Sequence, residues 1–238
     1  MSVENLQIKL FADGADLPSM LDMYANPKIE GFTTNPTLMN KAGVTDYEAF
    51  SRELLSKIPD RPVSLEVFAD DLQEMERQAR KIASWGANVN VKIPVTTTAG
   101  ESTAPIIKTL ASEGVVLNIT AIFTHDQVRQ IGAALSPDIP AIVSVFAGRL
   151  ADTGVDPMPH MTECLKILAD RPKAELLWAS PRELLNVFQA DQVGCHIITA
   201  TNDILKKLSL VGKDLTDYSR ETVQMFRTDA VAAGYSID

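Results

Sequence analysis

Short apolar, β-branched runs alternate along the chain with longer segments in which hydrophobic residues repeat at a helical period. The strand candidates are 6–13, 29–35, 63–69, 88–95, 115–123, 141–148, 175–180 and 195–201. The helical segments are DLPSMLDMYA, YEAFSRELLSKI, DLQEMERQARKIASWG, TAPIIKTLASEG, HDQVRQIGAAL, PHMTECLKILADR, PRELLNVFQAD and NDILKKLSL, with DYSRETVQMFRTDAVAAG at the end. Eight strands, each followed by a helix, predict an α/β (β/α)8 TIM barrel with an additional C-terminal helix.

A doubly wound open sheet is the alternative fold. It needs fewer strands, and no G-x-G-x-x-G turn follows the first strand to support a dinucleotide-binding version. No low-complexity linker or break in composition divides the sequence. We therefore expect one barrel domain over residues 1–238.

The alternation within each strand predicts which side chains enter the barrel. Outward side chains of a parallel barrel pack under helices and must be apolar, whereas inward ones can carry chemistry near the carboxyl ends of the strands. By this pattern Ala121, Leu177 and Ala179 point outward, and Phe68 and Trp178 point inward. The polar residues predicted to converge at the barrel mouth are Asp13, Asn35, Glu66, Lys92, Asn118, Thr120, Ser144 and Ser180.

Each of these residues has a structural explanation when it is taken alone. A lysine in a strand commonly reaches solvent, and an aspartate after a strand commonly caps a helix. Together they need another explanation, because burying unpaired charges costs several kcal/mol per ion. The set therefore indicates a polar functional site.

Composition narrows the class of protein. The formal charge of -9 argues against nonspecific binding to nucleic acid or to an acidic membrane. The N-terminus lacks a signal-peptide pattern and no run is long enough to cross a bilayer, which predicts a cytoplasmic protein. Cys164 and Cys195 form no ligand pattern with the scattered histidines, so we expect reduced thiols, no metal and no role for a surface-exposed His160.

A buried lysine beside carboxyl groups is typical of Schiff-base chemistry. Desolvation disfavours the ammonium form, and the neutral amine can attack a ketone or aldehyde. The resulting iminium accepts electrons when a carbon–carbon bond breaks, and a carboxylate such as Asp13 can take the hydroxyl proton. Glu66 and Thr120 are suited to hold the water that this cycle releases and consumes.

Seven segments occur in order: LFADGADL, GFTTNPTL, SLEVFA, NVNVKIP, LNITAIFT, SVFAGRLAD and WASPREL. Together they resemble the transaldolase family, closest to its short-chain transaldolase and fructose 6-phosphate aldolase branch. The resemblance implies that Lys92 is the Schiff-base lysine and that Asp13 is the acid/base group. It also implies that Glu66 and Thr120 hold the catalytic water. It further implies substrate contacts from Asn35, Asn118, Ser144, Phe146, Arg149, Ser180 and Arg182. The last three are implied to form the phosphate site.

The anion site departs from the family pattern. Pro181 stands in the A-S-x-R segment, which puts the position of Arg182 in question, and a sulfonate could be read there instead. Arg182 is expected in the first turn of a helix, where free N–H groups favour an anion. The competing explanation pairs Arg149 with Asp152 and Arg182 with Glu183.

The function that follows is transfer of a dihydroxyacetone unit from fructose 6-phosphate to erythrose 4-phosphate, with sugar phosphates as partners and no cofactor. The alternatives are an aldolase that releases free dihydroxyacetone, a transaldolase for another anionic ketose, and a non-catalytic sugar-phosphate-binding barrel. The resemblance also implies a homo-oligomer, a pentamer or decamer, with the segment 214–234 reaching a neighbouring subunit.

Overall fold

The strands form one closed parallel barrel in the order of the sequence. The computed structural model describes residues 2–237. The strands are β1 Lys9–Asp13, β2 Ile29–Thr33, β3 Val63–Glu66, β4 Val89–Pro94, β5 Leu117–Ile122, β6 Ala141–Val145, β7 Ala174–Trp178 and β8 Ile197–Thr201. Each strand pairs with its neighbours in sequence, and β8 pairs with β1 to close the barrel. The predicted (β/α)8 barrel is confirmed.

Helices follow the strands around the barrel. They are α1 Leu17–Tyr24, α2 Pro36–Lys41, α3 Tyr47–Lys57, α4 Leu72–Ala83, α5 Ala104–Ser112, α6 His125–Ala134, α7 Ala147–Asp152, α8 Pro157–Ile167, α9 Leu185–Val193, α10 Asn202–Leu205 and α11 Leu215–Ala232. Short 3-10 turns lie at Val3–Asn5 and Lys206–Leu210. The sequence pattern missed α2 and α7, because six residues are too few to display a helical period. The predicted C-terminal helix is confirmed as α11.

Capping side chains set where many of these helices begin. The side chain of an Asp, Asn or Thr accepts a backbone N–H of the first turn, which satisfies a donor that the helix leaves free. Such N-caps are Asp16, Asn35, Asp46, Asp71, Thr124, Asp156 and Asp214. Several of them stand close behind a strand, so the chain turns sharply at the carboxyl ends of the barrel.

Two apolar layers hold the barrel together. Outward strand residues such as Leu65, Val91 and Val143 are fully buried under the helices. A second cluster fills the barrel interior and consists of Phe11, Ile142, Leu177, Ala179 and Ile197, with Phe146 packed against it. The polar side chains of the cavity described below lie beyond this apolar interior, at the carboxyl ends of the strands.

The structure corrects the predicted side-chain alternation at two strands. Leu177 and Ala179 point into the barrel and Trp178 points outward, because every residue from Leu176 to Ala179 is apolar and the alternation carries no information there. Ala121 was also predicted to face outward, but it adopts a left-handed conformation (φ 59°) where the β5–β6 register shifts. It therefore lines the cavity described below.

Phe68 is a third correction. It was predicted to point inward, but β3 ends at Glu66, and the Phe68 side chain is exposed and packs edge-on against Tyr47 with ring centroids 4.5 Å apart.

The C-terminal helix stands apart from the barrel core. None of the residues of α11 is buried, and its exposed apolar side chains include Leu215, Val223, Phe226 and Val231. No helix in residues 2–237 is long and apolar enough to span a membrane.

Candidate active site

A cavity of about 510 Å³ opens at the carboxyl ends of the strands. It contains all eleven residues that the sequence nominated: Asp13, Asn35, Glu66, Lys92, Asn118, Thr120, Ser144, Phe146, Arg149, Ser180 and Arg182. Active sites of TIM barrels lie at this face, where side chains from several strand ends meet. The barrel therefore brings the nominated set together, although their roles stay predictions.

Lys92 lies in the floor of the cavity and is held by two oxygens. Its Nζ donates to the carbonyl oxygen of Thr34 at 2.9 Å and lies 3.0 Å from Glu66 Oε2. Glu66 and Lys92 are register partners on β3 and β4, so the backbone pairing fixes their approach. The lysine side chain is 9% exposed and the glutamate side chain 12%, which excludes most of the water that would screen the pair.

Asp13 ends β1 on the other side of the cavity floor. Its Oδ1 accepts a hydrogen bond from Thr33 Oγ1 at 2.7 Å, and Asn35 Nδ2 lies 3.4 Å from Oδ2. Burial raises the pKa of Asp13 above its ordinary value, while the nearby Lys92 charge and the two hydrogen bonds act in the opposite direction. A carboxyl group tuned in this direction is better able to accept a proton near neutral pH.

A fixed amide and a free hydroxyl lie on the β5 side. Asn118 Nδ2 donates to Ser64 Oγ at 2.9 Å, and Ser144 Oγ donates to Asn118 Oδ1 at 2.7 Å. These two bonds fix the Asn118 amide. Thr120 Oγ1 is buried and has no hydrogen-bond partner within residues 2–237. A buried hydroxyl of this kind needs a partner, and a bound water or substrate oxygen in the cavity can provide one.

The cavity mouth carries two arginines in different electrostatic settings. Arg149, on α7, lies over the ring of Phe146 at 5.3 Å and makes no ion pair in the described chain. Arg182 is paired through both Nε and Nη2 to Asp152, with Nε 2.9 Å from Oδ1. The carboxylate expected beside Arg149 therefore binds Arg182, and the predicted Arg182–Glu183 pair is wrong.

The helix start expected at Arg182 is also wrong. α9 begins at Leu185, and the backbone N–H groups of Arg182 and Glu183 both donate to Asn186 Oδ1, at 2.7 and 3.2 Å. Pro181 is buried directly before them. These two N–H groups are already satisfied by Asn186, so an anion at the mouth has to be recognised mainly by the guanidinium groups.

Ser180 reaches the cavity through its backbone conformation. It has a left-handed φ of 61°, which turns the chain after β7 and brings Ser180 into the lining despite the inverted alternation of that strand. Gly148 packs directly beneath it: a Cβ there would lie 1.6 Å from the Ser180 carbonyl oxygen. Glycine at this position thus allows α7, with Arg149, to approach Ser180.

Sequence reasoning missed three residues of the site, Thr33, Thr34 and Thr199, and assigned a fourth, Asp152, to the wrong arginine. Thr33 and Thr199 belong to the lining, Thr34 receives the Lys92 ammonium through its carbonyl, and Asp152 holds Arg182. Thr33 and Thr34 stand inside the quoted segment GFTTNPTL, and Thr199 has the same parity in β8 as the inward Ile197. The backbone carbonyl of Thr34 has no signal in the sequence.

His125, His160 and Cys164 come together between α6 and α8, so the expectation that these residues are scattered is wrong. One candidate ligand atom from each lies within 4.8 Å of the other two, and His160 is half-buried. The imidazole rings stack with centroids 4.0 Å apart and planes only 19° from parallel. An imidazole nitrogen binds a metal that lies close to the plane of its ring. Because the two stacked rings lie in separate, nearly parallel planes, one metal ion cannot lie in both planes. Helix packing therefore accounts for the cluster.

Known proteins resemble this chain over most of its length. The family model described as Transaldolase/Fructose-6-phosphate aldolase matches residues 10–237. A "Probable transaldolase" of Dehalococcoides mccartyi is 35% identical over 88% of this chain and 93% of its own. Another, from Hyphomonas neptunium, is 34% identical over 97% of this chain and 100% of its own.

Solved structures share the fold at low identity. KGPDC from Streptococcus mutans superposes with a TM-score of 0.58 at 13% identity, covering 84% of this chain and 90% of its own. Dihydrodipicolinate synthase from Rhodopseudomonas palustris gives 0.51 at 16% identity, covering 97% and 81%. These two establish the barrel alone, whereas the family match and the relatives in sequence go further: the chain belongs to the transaldolase/fructose-6-phosphate aldolase family.

Proposed function

We propose that the protein is a transaldolase that moves a dihydroxyacetone unit from a ketose phosphate such as fructose 6-phosphate to an aldose phosphate such as erythrose 4-phosphate. Lys92 carries this assignment, because its buried amine lies in the cavity between Glu66 and the carbonyl of Thr34. An amine placed there can add to a ketone carbonyl that enters from the mouth.

The first half of the cycle assigns a role to each carboxyl group. Lys92 adds to the ketose carbonyl, and the carbinolamine loses water to give an iminium, with Glu66 and the free hydroxyl of Thr120 holding that water. Asp13 then accepts the proton of the hydroxyl two carbons from the iminium carbon. The bond between that hydroxyl-bearing carbon and the carbon next to the iminium then breaks, so the aldose leaves as an aldehyde. The electron pair of the broken bond moves into the iminium, which becomes an enamine attached to Lys92.

The second half reverses these steps with another aldehyde. The enamine carbon attacks the acceptor carbonyl, and protonated Asp13 returns its proton to the new alkoxide. Water then hydrolyses the iminium and frees Lys92. The half-buried Asp13, with its raised pKa, is suited to alternate between base and acid in this way.

Phe146 and Glu66 favour transfer over release of free dihydroxyacetone. By family resemblance, the aldolase branch carries a tyrosine and an amide at these positions. The Phe146 ring packs near Phe123, with centroids 5.6 Å apart, and has no proton to give to the enamine. The enamine therefore waits for an acceptor aldehyde. A lyase that releases dihydroxyacetone is the alternative within the family.

The charges at the cavity mouth support an anionic substrate, and the balance of these charges bears on which anion binds there. Arg149 and Arg182 bring two positive charges and Asp152 removes one, so the mouth carries a net charge of +1 by this count. A phosphate is our assignment. A sulfonate, which carries a single negative charge, is the competing ligand for a mouth of this charge.

Assembly and location stay part of the proposal. The unburied helix α11, with its exposed Leu215 and Phe226, supports a homo-oligomer in which this helix packs on a neighbour. The pentamer or decamer and the cytoplasmic location stay predictions from the sequence. Sedimentation of the whole chain and of a Phe226→Asp variant tests the assembly, because a charge in an apolar contact should weaken it.

Borohydride trapping tests the proposed function. Incubation with fructose 6-phosphate and borohydride is expected to attach the reduced donor to Lys92, as located by peptide mapping, and Lys92→Ala should abolish both the adduct and turnover. Lys81, which is exposed and paired to Glu48, provides a matched control as Lys81→Ala. An adduct on another lysine, or none, removes the Schiff-base mechanism. A parallel assay with and without erythrose 4-phosphate separates transferase from lyase.

A further inference from the structure

Two buried threonines continue the hydrogen-bond network behind Asp13. Thr33 Oγ1 donates to Asp13 Oδ1 at 2.7 Å, and Thr33 Oγ1 and Thr199 Oγ1 lie 2.6 Å apart. Thr33 is the register partner of Asp13 on β2, and Thr199 lies on β8, the strand on the other side of β1. The exposed fractions of Thr33 and Thr199 are 2% and 7%. Two neighbouring strands thus supply a hydroxyl chain to one oxygen of the carboxyl group.

Proton counting gives this chain a direction. A hydroxyl has one hydrogen to donate. Because Thr33 donates its hydrogen to the Asp13 carboxylate, Thr199 has to donate to Thr33. In the reverse order Oδ1 would carry a proton and donate it to Thr33, Thr33 would donate to Thr199, and the Thr199 hydrogen would be left to a water in the cavity, because no described residue accepts it. The order from Thr199 to Thr33 to Asp13 gives both hydroxyl hydrogens an acceptor within the protein.

The two oxygens of Asp13 are therefore not equivalent. Oδ1 accepts the short bond from Thr33, whereas Oδ2 has only the 3.4 Å contact to Asn35, which is too long for a strong hydrogen bond. Asn35 also lines the cavity and uses its own oxygen to cap α2 through the N–H of Leu38. Oδ2 is the oxygen left to exchange a proton with a ligand.

We propose that Thr199 and Thr33 are positioning residues that reserve Oδ1 of Asp13 as a permanent acceptor and direct the transferred proton to Oδ2. This inference rests on the proposed function, in which Asp13 is the acid/base group. Both threonines act through Asp13. Their bonds stabilise the carboxylate form, the form that accepts the substrate proton.

Other charged groups around Asp13 must be held constant in any test. Lys92 on β4 faces it with a positive charge, and Lys92 is in turn paired to Glu66 on β3. Asp16 before α1, Lys41 on α2 and Asp203 on α10 line the neighbouring cavity that Asp13 also borders. Valine substitutions at the threonines leave all of these charges unchanged.

The test is the pH dependence of kcat/KM for donor cleavage. Thr33→Val removes a donor to the carboxylate and is expected to move the acid limb upward by about one pH unit, and Thr199→Val by about half as much. Thr199→Ser keeps the hydroxyl and should retain the wild-type pH profile. Thr109→Val is the matched control, because Thr109 is exposed on α5 and its hydroxyl donates to the Pro105 carbonyl of the same helix, outside the cavity that holds Lys92.

Trapping at Lys92 separates the two proposals. The wild type and the Thr199→Val variant are expected to form the borohydride adduct equally, because Schiff-base formation does not use the hydroxyl chain from Thr199 to Asp13. If the wild type forms no adduct, the proposed function fails. If the adduct forms but the profile of Thr199→Val coincides with the wild type, Thr199 is a packing residue and the inference is overturned. Thr199→Ala carries the same comparison if the valine variant does not fold.

Discussion

Replacing Arg149 with alanine is expected to cost more activity on phosphorylated substrates than replacing Arg182. The reason is the different pairing of the two guanidinium groups at the mouth. Arg149 lies over the Phe146 ring without an ion pair in the described residues, whereas Arg182 is bound through two nitrogens to Asp152. Arg149 is thus ready for an anion, and Arg182 must first exchange its carboxylate.

The size of each effect follows from that exchange. A charge-assisted contact to phosphate changes an equilibrium by about 10- to 100-fold. Arg149→Ala should lose about this factor in kcat/KM. Arg182 gains only the difference between a phosphate and the Asp152 carboxylate, so Arg182→Ala should lose less than about tenfold. Asp152→Asn removes the competitor and should raise kcat/KM by a few-fold, in keeping with the small strength of an exposed pair.

The assay compares a phosphorylated acceptor, a sulfonated acceptor and a free sugar in all three variants. The free sugar is the control, because it lacks the anion and its kcat/KM should change little. If Arg182→Ala costs more than Arg149→Ala on the phosphorylated acceptor, or if Asp152→Asn lowers activity, Asp152 positions Arg182 for binding and the competition argument is refuted. Equal losses on the charged and free sugars would mean that the arginines support the fold.

Three further predictions concern the cavity and the helix layer. Lys92→Met leaves the Glu66 carboxylate buried without its partner and should lower the free energy of unfolding by about 3 kcal/mol in urea titration, with most of the loss recovered in Lys92→Met/Glu66→Gln. Phe146→Tyr adds a hydroxyl near the enamine and should increase dihydroxyacetone release measured without acceptor; unchanged release would assign that proton transfer elsewhere. Burial lowers the pKa of His160, with His125 adding to the effect. The neutral ring therefore stabilises the fold above pH of about 6.5, and stability should fall as the pH is lowered toward 5, with a flatter Tm profile in His160→Gln.

The sequence predicted the barrel and the lining because both depend on a repeated physical pattern. Lys92 stands between Val91 and Ile93, so its strand can bury both neighbours outward only by pointing the amine into the barrel. The same reasoning placed Asn118 and Ser144, whose neighbours are also buried and apolar. A polar residue in such a strand is informative, because its apolar neighbours point outward under the helices and its own side chain must therefore point into the barrel.

The wrongly predicted side-chain directions occur where a strand has no polar and apolar alternation, or where its regular backbone is interrupted. Leu176, Leu177 and Trp178 are all apolar, so β7 could be read in either phase, and only the packing of Leu177 inside the barrel decides it. Ala121 and Ser180 enter the lining through left-handed backbone conformations, which neither residue type predicts. These breaks lie at the ends of the strands, where the chain leaves regular structure to form the site.

The distribution of charge along the cavity also constrains the substrate. Deep in the cavity, Lys92 faces two carboxyl groups, Glu66 and Asp13, so that end binds no further anion favourably. The excess positive charge lies at the mouth, on Arg149 and Arg182. A ketose whose anionic group is remote from its carbonyl can bind with the carbonyl at Lys92 and the anion at the mouth. One whose anion is adjacent to the carbonyl would bring that anion against Glu66, so the barrel should select sugars charged at the far end of the chain.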